Sequence, residues 1–118
     1  MRVLVVDAHP DVRWALRTAI REEAGLTVAG EVAHAEDLLE EARVQRPDVI
    51  LLEWELPDTP GEKLLARLGS LDLGCRVIVL GGQPEVKDAA LAAGADDFVS
   101  KADAPEQLLR ALRRLVYE

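Results

Sequence analysis

The chain has 118 residues, which is enough for one domain with one core and too few for two. Apolar residues make up 49% of it, but no apolar run reaches the roughly 18 residues that a membrane span needs. The net charge of −8 argues against a strong nucleic-acid-binding face, because phosphate contacts require clustered Lys and Arg. The single cysteine, Cys75, excludes an internal disulfide and a cysteine-based zinc site, and no signal peptide is evident. These features predict a soluble cytoplasmic protein.

Ten elements alternate along the chain. In chain order they are a strand at 3–6, a helix at 10–23, a strand at 26–32, a helix at 35–45, a strand at 49–52, a helix at 60–68, a strand at 76–80, a helix at 84–94, a strand at 97–100 and a helix at 103–117. The strands at 3–6, 49–52 and 76–80 are almost wholly apolar, as in strands buried on both faces. The helices show apolar positions at helical spacing, and Gly94 predicts the end of the fourth.

This alternation predicts an α/β fold with a doubly wound, five-stranded parallel sheet and helices on both faces. Such sheets bind ligands beyond the carboxyl ends of their strands, near a switch in strand order. The residues at those ends are Asp7, Glu53, Gly81–Gly82 and Lys101. The fold alone therefore selects these residues as the candidate site.

Three blocks that carry these residues, in this order, resemble the receiver domain of bacterial two-component response regulators. They are VLVVDAHPDVR at 3–13, PDVILLEWELPDTPGEKLLARL at 47–68 and ALAAGADDFVSKADAPEQLLRAL at 90–112. The resemblance runs nearly from end to end and implies the (βα)5 flavodoxin-like receiver fold, with residues 1–118 as a single domain. The chain most resembles receivers that precede a helix-turn-helix DNA-binding domain, so it could be the N-terminal part of a longer regulator.

The resemblance also implies a chemistry that this chain only partly matches. In the family, an Asp after the third strand accepts a phosphoryl group, and Mg²⁺ bridges it to an acid after the first strand. Here the phosphoacceptor position holds Glu53, and Ala8 stands where a direct Mg²⁺ ligand would be. Gly81 replaces the Ser or Thr that binds the phosphoryl group. The phosphoryl-pairing Lys101 and the switching aromatic Phe98 are both present.

Glu53 admits three interpretations. Its carboxylate lies about one carbon–carbon bond farther out than that of an Asp and could imitate the phosphorylated state by pairing with Lys101, although it carries less charge than a phosphoryl group. It could instead belong to a relic pocket with an ordinary Glu–Lys pair. In the third interpretation, Glu53 is itself a Mg²⁺-dependent phosphoacceptor. The absent second acid and absent hydroxyl count against the third.

The metal prediction is correspondingly weak. Asp7 and Glu53, with the backbone carbonyl of Glu55, could hold Mg²⁺, which keeps several waters. Alternatively, Asp7 pairs with Lys101. His9 could ligate a metal, but it lacks a second His nearby and fits equally well as a loop or N-terminal helix residue. We therefore expect no required cofactor.

We predict that the domain is not an enzyme and signals through protein contacts, without the usual Asp phosphorylation. The partner could be another signalling protein or a second copy, through the face formed by the fourth helix, fifth strand and fifth helix, or through the first helix. Arg13, Arg17 and Arg21 form a stripe on that first helix, as a docking face or a solvated surface. DNA would be contacted only through a C-terminal domain outside this chain, in transcriptional regulation, and no membrane contact is expected.

A flavodoxin-like cofactor module is the remaining alternative. It shares the topology but needs a phosphate-binding loop after the first strand, where this chain has the acidic sequence DAHPD. Aromatic residues make up only 3% of the chain, so there is little to stack on a flavin. A purified protein with no colour and no nucleotide absorbance would exclude this alternative.

Overall fold

The computed structural model describes residues 1–103 and 105–117. The strands are β1 (Arg2–Val6), β2 (Thr27–Val32), β3 (Val49–Glu53), β4 (Arg76–Gly81) and β5 (Asp97–Ser100). The helices are α1 (Pro10–Arg21), α2 (Ala35–Gln45), α3 (Gly61–Leu71), α4 (Val86–Ala92) and α5 (Glu106–Tyr117), with a 3₁₀ turn at Lys101–Asp103.

The five strands form one parallel sheet in the order β2-β1-β3-β4-β5. The chain builds outward from β1 to β2, then crosses to β3 and continues in the other direction. The strand order therefore switches between β1 and β3, where their carboxyl ends create a crevice. The predicted α/β doubly wound sheet is confirmed, and Asp7, Glu53, Gly81 and Lys101 lie at its carboxyl edge.

The apolar strands explain why helices cover both faces. Alternate residues of β1 point to opposite sides of the sheet, so that Leu4 and Val6 join one core cluster while Val3 and Val5 join the other. All four side chains are fully buried. The central β3 is buried along its whole length, as its continuous apolar run predicts.

Several helix ends differ from the predicted ones. The fourth helix is short, beginning at Val86 rather than at 84, and Gly94 follows it with a φ of 111°. The fifth helix begins at Glu106 rather than at 103, because Asp103 lies in the 3₁₀ turn; Ala104 lies outside the described residues. Proline at a first helical turn limits only where a helix can begin, which is why these boundaries shift by a few residues.

The edge strand β2 carries an ion-pair cluster. Glu31 lies within 3.6 Å of Arg13 and within 2.5 Å of Arg17, both on α1. The Arg13 and Arg17 side chains are only 19% and 28% exposed. The arginine stripe is therefore neither an open docking face nor a solvated surface at these two positions, because its guanidinium groups bind the neighbouring strand.

Candidate functional site

Two buried carboxylates meet where β1 and β3 end. Val6 pairs with Leu52 across the two strands, so the residues that follow, Asp7 and Glu53, emerge side by side. Asp7 is fully buried and Glu53 is 4% exposed. These are the only buried charged residues in the described part of the chain. Two adjacent acids taken out of water require compensation by a cation and by hydrogen-bond donors.

Lys101 supplies the cation. It follows β5 directly, and its Nζ lies 2.8 Å from Glu53 Oε1 and 2.9 Å from Asp7 Oδ2. One ammonium thus bridges both carboxylates. The predicted pairings of Glu53 and of Asp7 with Lys101 occur together rather than as alternatives. Asp7, Glu53 and Lys101 together carry a formal net charge of −1.

Backbone and imidazole groups of the loop after β1 complete the site. The Ala8 N–H donates to Glu53 Oε2 at 3.2 Å, and the His9 N–H donates to Asp7 Oδ1 at 2.9 Å. The Nδ1 of His9 is also 2.9 Å from Asp7 Oδ1. Arg13 donates to the Asp7 carbonyl at 2.7 Å and ties the loop to α1. The loop is therefore held by Asp7, by Glu53 of β3 and by Arg13 of α1.

The pKa values of the two carboxyl groups are shifted in opposite directions. Burial raises the pKa of Glu53, and its neighbour Asp7 adds to this, so that the pKa remains above its usual value despite the Lys101 ammonium. Burial also acts to raise the pKa of Asp7, but the His9 backbone donor and the adjacent Glu53 and Lys101 side chains outweigh it and lower that pKa. Burial opposes the charge of Lys101, yet the two carboxyl groups raise its pKa.

The position at the end of β4 is filled by an aromatic ring. Gly81 lies beside Phe98 of β5, and a Cβ built on Gly81 would be 2.7 Å from Phe98 Cε2 and 3.0 Å from its Cζ. The half-buried ring also packs with the core cluster that contains Val79. Any residue with a side chain at Gly81 would have to displace the ring or distort the strand end.

A second close contact fixes the loop after β3. The Trp54 ring lies over Gly61 at the start of α3, so that a Cβ on Gly61 would be 2.5 Å from Trp54 Cε3. In the same loop, the two carboxylate oxygens of Asp58 accept the backbone N–H groups of Ala35 and Glu36. The loop thus connects the site to the first turn of α2, where it replaces a local cap.

Comparisons with known proteins identify this arrangement. The sequence profile of the response regulator receiver domain matches residues 3–113. The chain belongs to this family.

Its curated relatives are regulators about twice as long. The receiver is 38% identical over 117 residues to a putative transcriptional regulator of Pseudomonas aeruginosa, covering 98% of this chain and 56% of that protein. It is 36% identical, with the same coverage, to the putative positive transcription regulator of virulence factors BvgA from Bordetella pertussis. The nitrate/nitrite response regulator NarL of Escherichia coli is 33% identical over 95% of this chain and 53% of its own length. The chain spans about half the length of these relatives.

Solved structures agree with this assignment. A LuxR-family response regulator from Aurantimonas sp. superimposes with a TM-score of 0.88 at 27% identity, covering 98% of this chain and 84% of that one. The receiver domain of the response regulator NarL from Mycobacterium tuberculosis gives 0.88 at 28% identity, over 97% and 94% of the two chains. Among the described residues, no helix is both long and apolar enough to cross a bilayer.

The family's usual Mg²⁺ does not fit the receiver site well. The chain offers a methyl group at Ala8 in place of an acid, and Glu55 is exposed on the turn after β3. The Lys101 ammonium already contacts both remaining carboxylates. The nearest additional side-chain ligand is the nitrogen of His9, whereas Mg²⁺ prefers oxygen. Mg²⁺ binding at Asp7, Glu53 and the Glu55 carbonyl stays a prediction.

Two members of the site carried only a weak sequence signal. His9 is the N-cap residue of α1 and sits against both acids, which its position two residues after Asp7 permits through a local turn. In the sequence, Arg13 could be recognised only as one of the three arginines spaced along one face of the first helix. By contrast, His34 is the exposed N-cap residue of α2, directly before the predicted helix at 35–45.

Proposed function

We propose that this receiver domain is phosphorylation-independent and signals through protein–protein contacts, in transcriptional regulation. The observation that carries the proposal is the Lys101–Glu53 ion pair of 2.8 Å at the phosphoacceptor position. The cation that a receiver uses to pair a phosphoryl group is already engaged by an anion of the chain itself. Glu53 is also 4% exposed, which hinders attack on a donor in solution.

The Gly81–Phe98 contact supports the same proposal. In this family a hydroxyl residue at the end of the fourth strand binds the phosphoryl group, and an aromatic ring then turns inward. Here the hydroxyl is absent and the ring already occupies the adjacent space. Gly81 therefore offers no hydroxyl that could bind a phosphoryl group. The Phe98 ring likewise has no vacant space into which it could turn after phosphorylation.

The surface that such a ring controls is the candidate output face. A groove next to Phe98 is bounded by α4, β5 and α5, and its lining includes both basic and acidic residues: Lys87, Arg110, Arg114, Asp97 and Asp103. Opposite charges on one face suit a self-complementary contact between two copies. We propose this face for a homodimer or a signalling partner, with the first helix as the alternative.

The wider function follows from the relatives. The relatives named above are transcriptional or response regulators about twice as long as this chain. We propose that DNA is contacted by a C-terminal domain outside this chain, and that the receiver itself is not an enzyme and requires no cofactor. The alternative is a receiver in which Glu53 accepts a phosphoryl group with Mg²⁺, supported by the retained Asp7 and Lys101.

Intact mass after incubation with Mg²⁺ and a small acyl-phosphate donor tests the central proposal. The parent, Glu53→Asp and Glu53→Gln would be compared. We expect no phosphoryl adduct on the parent, because Glu53 is buried and paired. An adduct on the parent that disappears in Glu53→Gln would overturn the proposal and establish Glu53 as the phosphoacceptor. An adduct only on Glu53→Asp would show that Glu53 alone blocks the chemistry.

The output face is tested by sedimentation of two matched variants. Arg110→Glu alters the groove on α5, and Arg21→Glu alters another exposed arginine, at the end of α1. A dimer that dissociates only in Arg110→Glu supports the α4–β5–α5 face. A dimer lost only in Arg21→Glu assigns the contact to α1, and a monomeric parent directs the search to a different protein.

A further inference from the structure

A cleft lies at the end of the sheet opposite to the buried acids. It opens where the chain enters β3 and β4, and its volume is about 570 Å³. Arg76, the first residue of β4, pairs with Val49 in the sheet, and Arg46 lies three residues before Val49 in the chain. Both arginines line the cleft, so two guanidinium groups border one opening.

The charge of this cleft is positive in a strongly acidic chain. Within the described residues, the exposed side chains of Arg46 and Arg76 form no ion pair and no hydrogen bond. Asp48 is the only acid among the described residues that line the cleft, and its Oδ2 already accepts the Arg2 backbone N–H at 2.7 Å. Two guanidinium groups therefore exceed one engaged carboxylate, although the whole chain has a net charge of −8.

The backbone at Arg46 is an unusual place for an arginine. Arg46 is the C-cap residue of α2, with a φ of 46° and a ψ of 60°, in the left-handed region where Gly or Asn is the usual residue. The Arg2 side chain donates to the carbonyl groups of Gln45 and Arg46 and holds this turn. Capping of the helix thus requires the backbone conformation but does not explain the guanidinium group.

The wall of the cleft is apolar. It includes the half-buried side chains of Met1, Leu73 and Leu115. Small-molecule sites of about 300–1,000 Å³ combine such a wall with a few charged groups that orient the ligand. Guanidinium groups bind carboxylates and phosphates through paired hydrogen bonds. The cleft therefore matches a molecule with one anionic group and an apolar body.

We propose that this cleft binds a small organic anion, held at its anionic group by Arg46 and Arg76 and at its apolar body by Met1, Leu73 and Leu115. Leu115 lies near the end of α5, so the ligand contacts the helix that leads to the proposed C-terminal domain. Such a ligand is an input that needs no kinase. The inference goes beyond the phosphorylation-independent function and does not involve Glu53, so the adduct experiment and the binding experiment can fail separately.

Fluorescence titration of the full chain with the dye anilinonaphthalene sulfonate tests the cleft, because this probe joins an aromatic body to one anionic group. We expect one dye molecule per chain. Phenylnaphthylamine, which has the same body without the sulfonate, should bind at least about fivefold more weakly, since it makes no charged hydrogen bond. Inorganic phosphate has the charge without the body, and should displace the dye only at concentrations at least about tenfold above the dye's dissociation constant.

Two variants locate the binding in this cleft. Arg46→Asn removes the guanidinium group but keeps a residue that tolerates a positive φ, and it should lower dye affinity at least about fivefold without lowering the melting temperature. Arg76→Gln should lower the affinity by a similar factor. Arg67→Gln, at an exposed arginine of α3 outside the cleft, is the matched control and should leave the affinity within about twofold.

Several results would overturn the proposal. They are a parent chain that binds no dye, a neutral analogue that binds as tightly as the dye, and phosphate that displaces the dye at concentrations near the dye's dissociation constant. Dye affinity that is unchanged in Arg46→Asn or in Arg76→Gln would also overturn it, as would an equal loss of affinity in Arg67→Gln.

Discussion

The receiver site has two halves that depart from the family pattern in opposite ways. The ionic half consists of Asp7, Glu53 and Lys101, where two buried carboxylates share one ammonium. The packed half consists of Gly81 and Phe98, where an aromatic ring takes the space that a side chain would need. The first half retains charge at every position, and the second has exchanged a polar group for an apolar contact.

The difference shows which losses a buried site tolerates. Two buried carboxylates of the ionic half share the Lys101 ammonium, so removing Lys101 leaves desolvated charges without that partner, whereas removing one carboxylate leaves a balanced pair. A hydroxyl can disappear without such a consequence, since glycine leaves no unsatisfied group and the vacated volume is filled by a ring. We therefore expect the loss of Lys101 to destabilise the fold more than substitutions in the packed half do.

Lys101→Met should have the largest effect. The stem of the side chain is kept, but Asp7 and Glu53 lose their shared cation, and we expect the free energy of unfolding to fall by about 2–4 kcal/mol. Urea denaturation at neutral pH measures the loss. The loss should shrink at acidic pH, where Glu53 is protonated and fewer charges need compensation.

Lys87→Met is the matched control for this substitution. Lys87 is exposed on α4, and its replacement should change the free energy of unfolding by less than about 0.5 kcal/mol. Equal losses in the two variants would mean that Lys101 does not hold the carboxylates, and the contrast between the halves would fail.

Gly81→Ala should have a middle-sized effect. The new methyl group would lie 2.7 Å from Phe98 Cε2, and we expect a loss of about 1–3 kcal/mol as the ring is displaced. Gly82→Ala, whose Cβ meets no atom within 4 Å, should be nearly neutral. In a double-mutant cycle with Phe98→Leu, the two losses should be less than additive. Strict additivity would refute the packing account.

The pH dependence of Glu53→Gln should be the smallest of the three effects. The folded chain holds the Glu53 proton to a higher pH than the unfolded chain, whose reference pKa is 4.5. The contribution of Glu53 to the free energy of unfolding is therefore fully favourable below that value and declines as the pH rises through its raised folded pKa. The stability of the parent relative to Glu53→Gln should fall over this range. If this stability difference instead increased with pH, the pKa of Glu53 in the folded chain would be lowered rather than raised.

The fold was predictable because its signal is repeated along the chain. Five strand-like runs alternating with helical patterns permit few arrangements other than a parallel sheet covered on both sides. The pairing of Lys101 with the acids was also predictable, because the carboxyl ends of parallel strands meet at one edge. The first residues of the helices were less predictable, because a proline such as Pro84 or Pro105 is compatible with several neighbouring start positions.

The rest of the site depends on side-chain positions that spacing does not determine. The replacement of a hydroxyl by Gly81 was visible, but not that the Phe98 ring would fill the space beside it. The placement of His9 against two acids depends on a local turn around Asp7. Likewise, a stripe of arginines is compatible with solvent, a partner or a neighbouring strand, and only the packing of α1 on β2 selects the last.

That packing has a consequence for self-association. The edge strand β2 contains a register irregularity opposite Val3 and Leu4, and its Glu31 is held by two arginines of α1. A bulge and a charged edge both hinder the addition of a strand from another molecule. The β2 border of the sheet is thereby protected against edge-to-edge aggregation, so that even at high concentration contacts between copies at this border should form through helices rather than through an extended sheet.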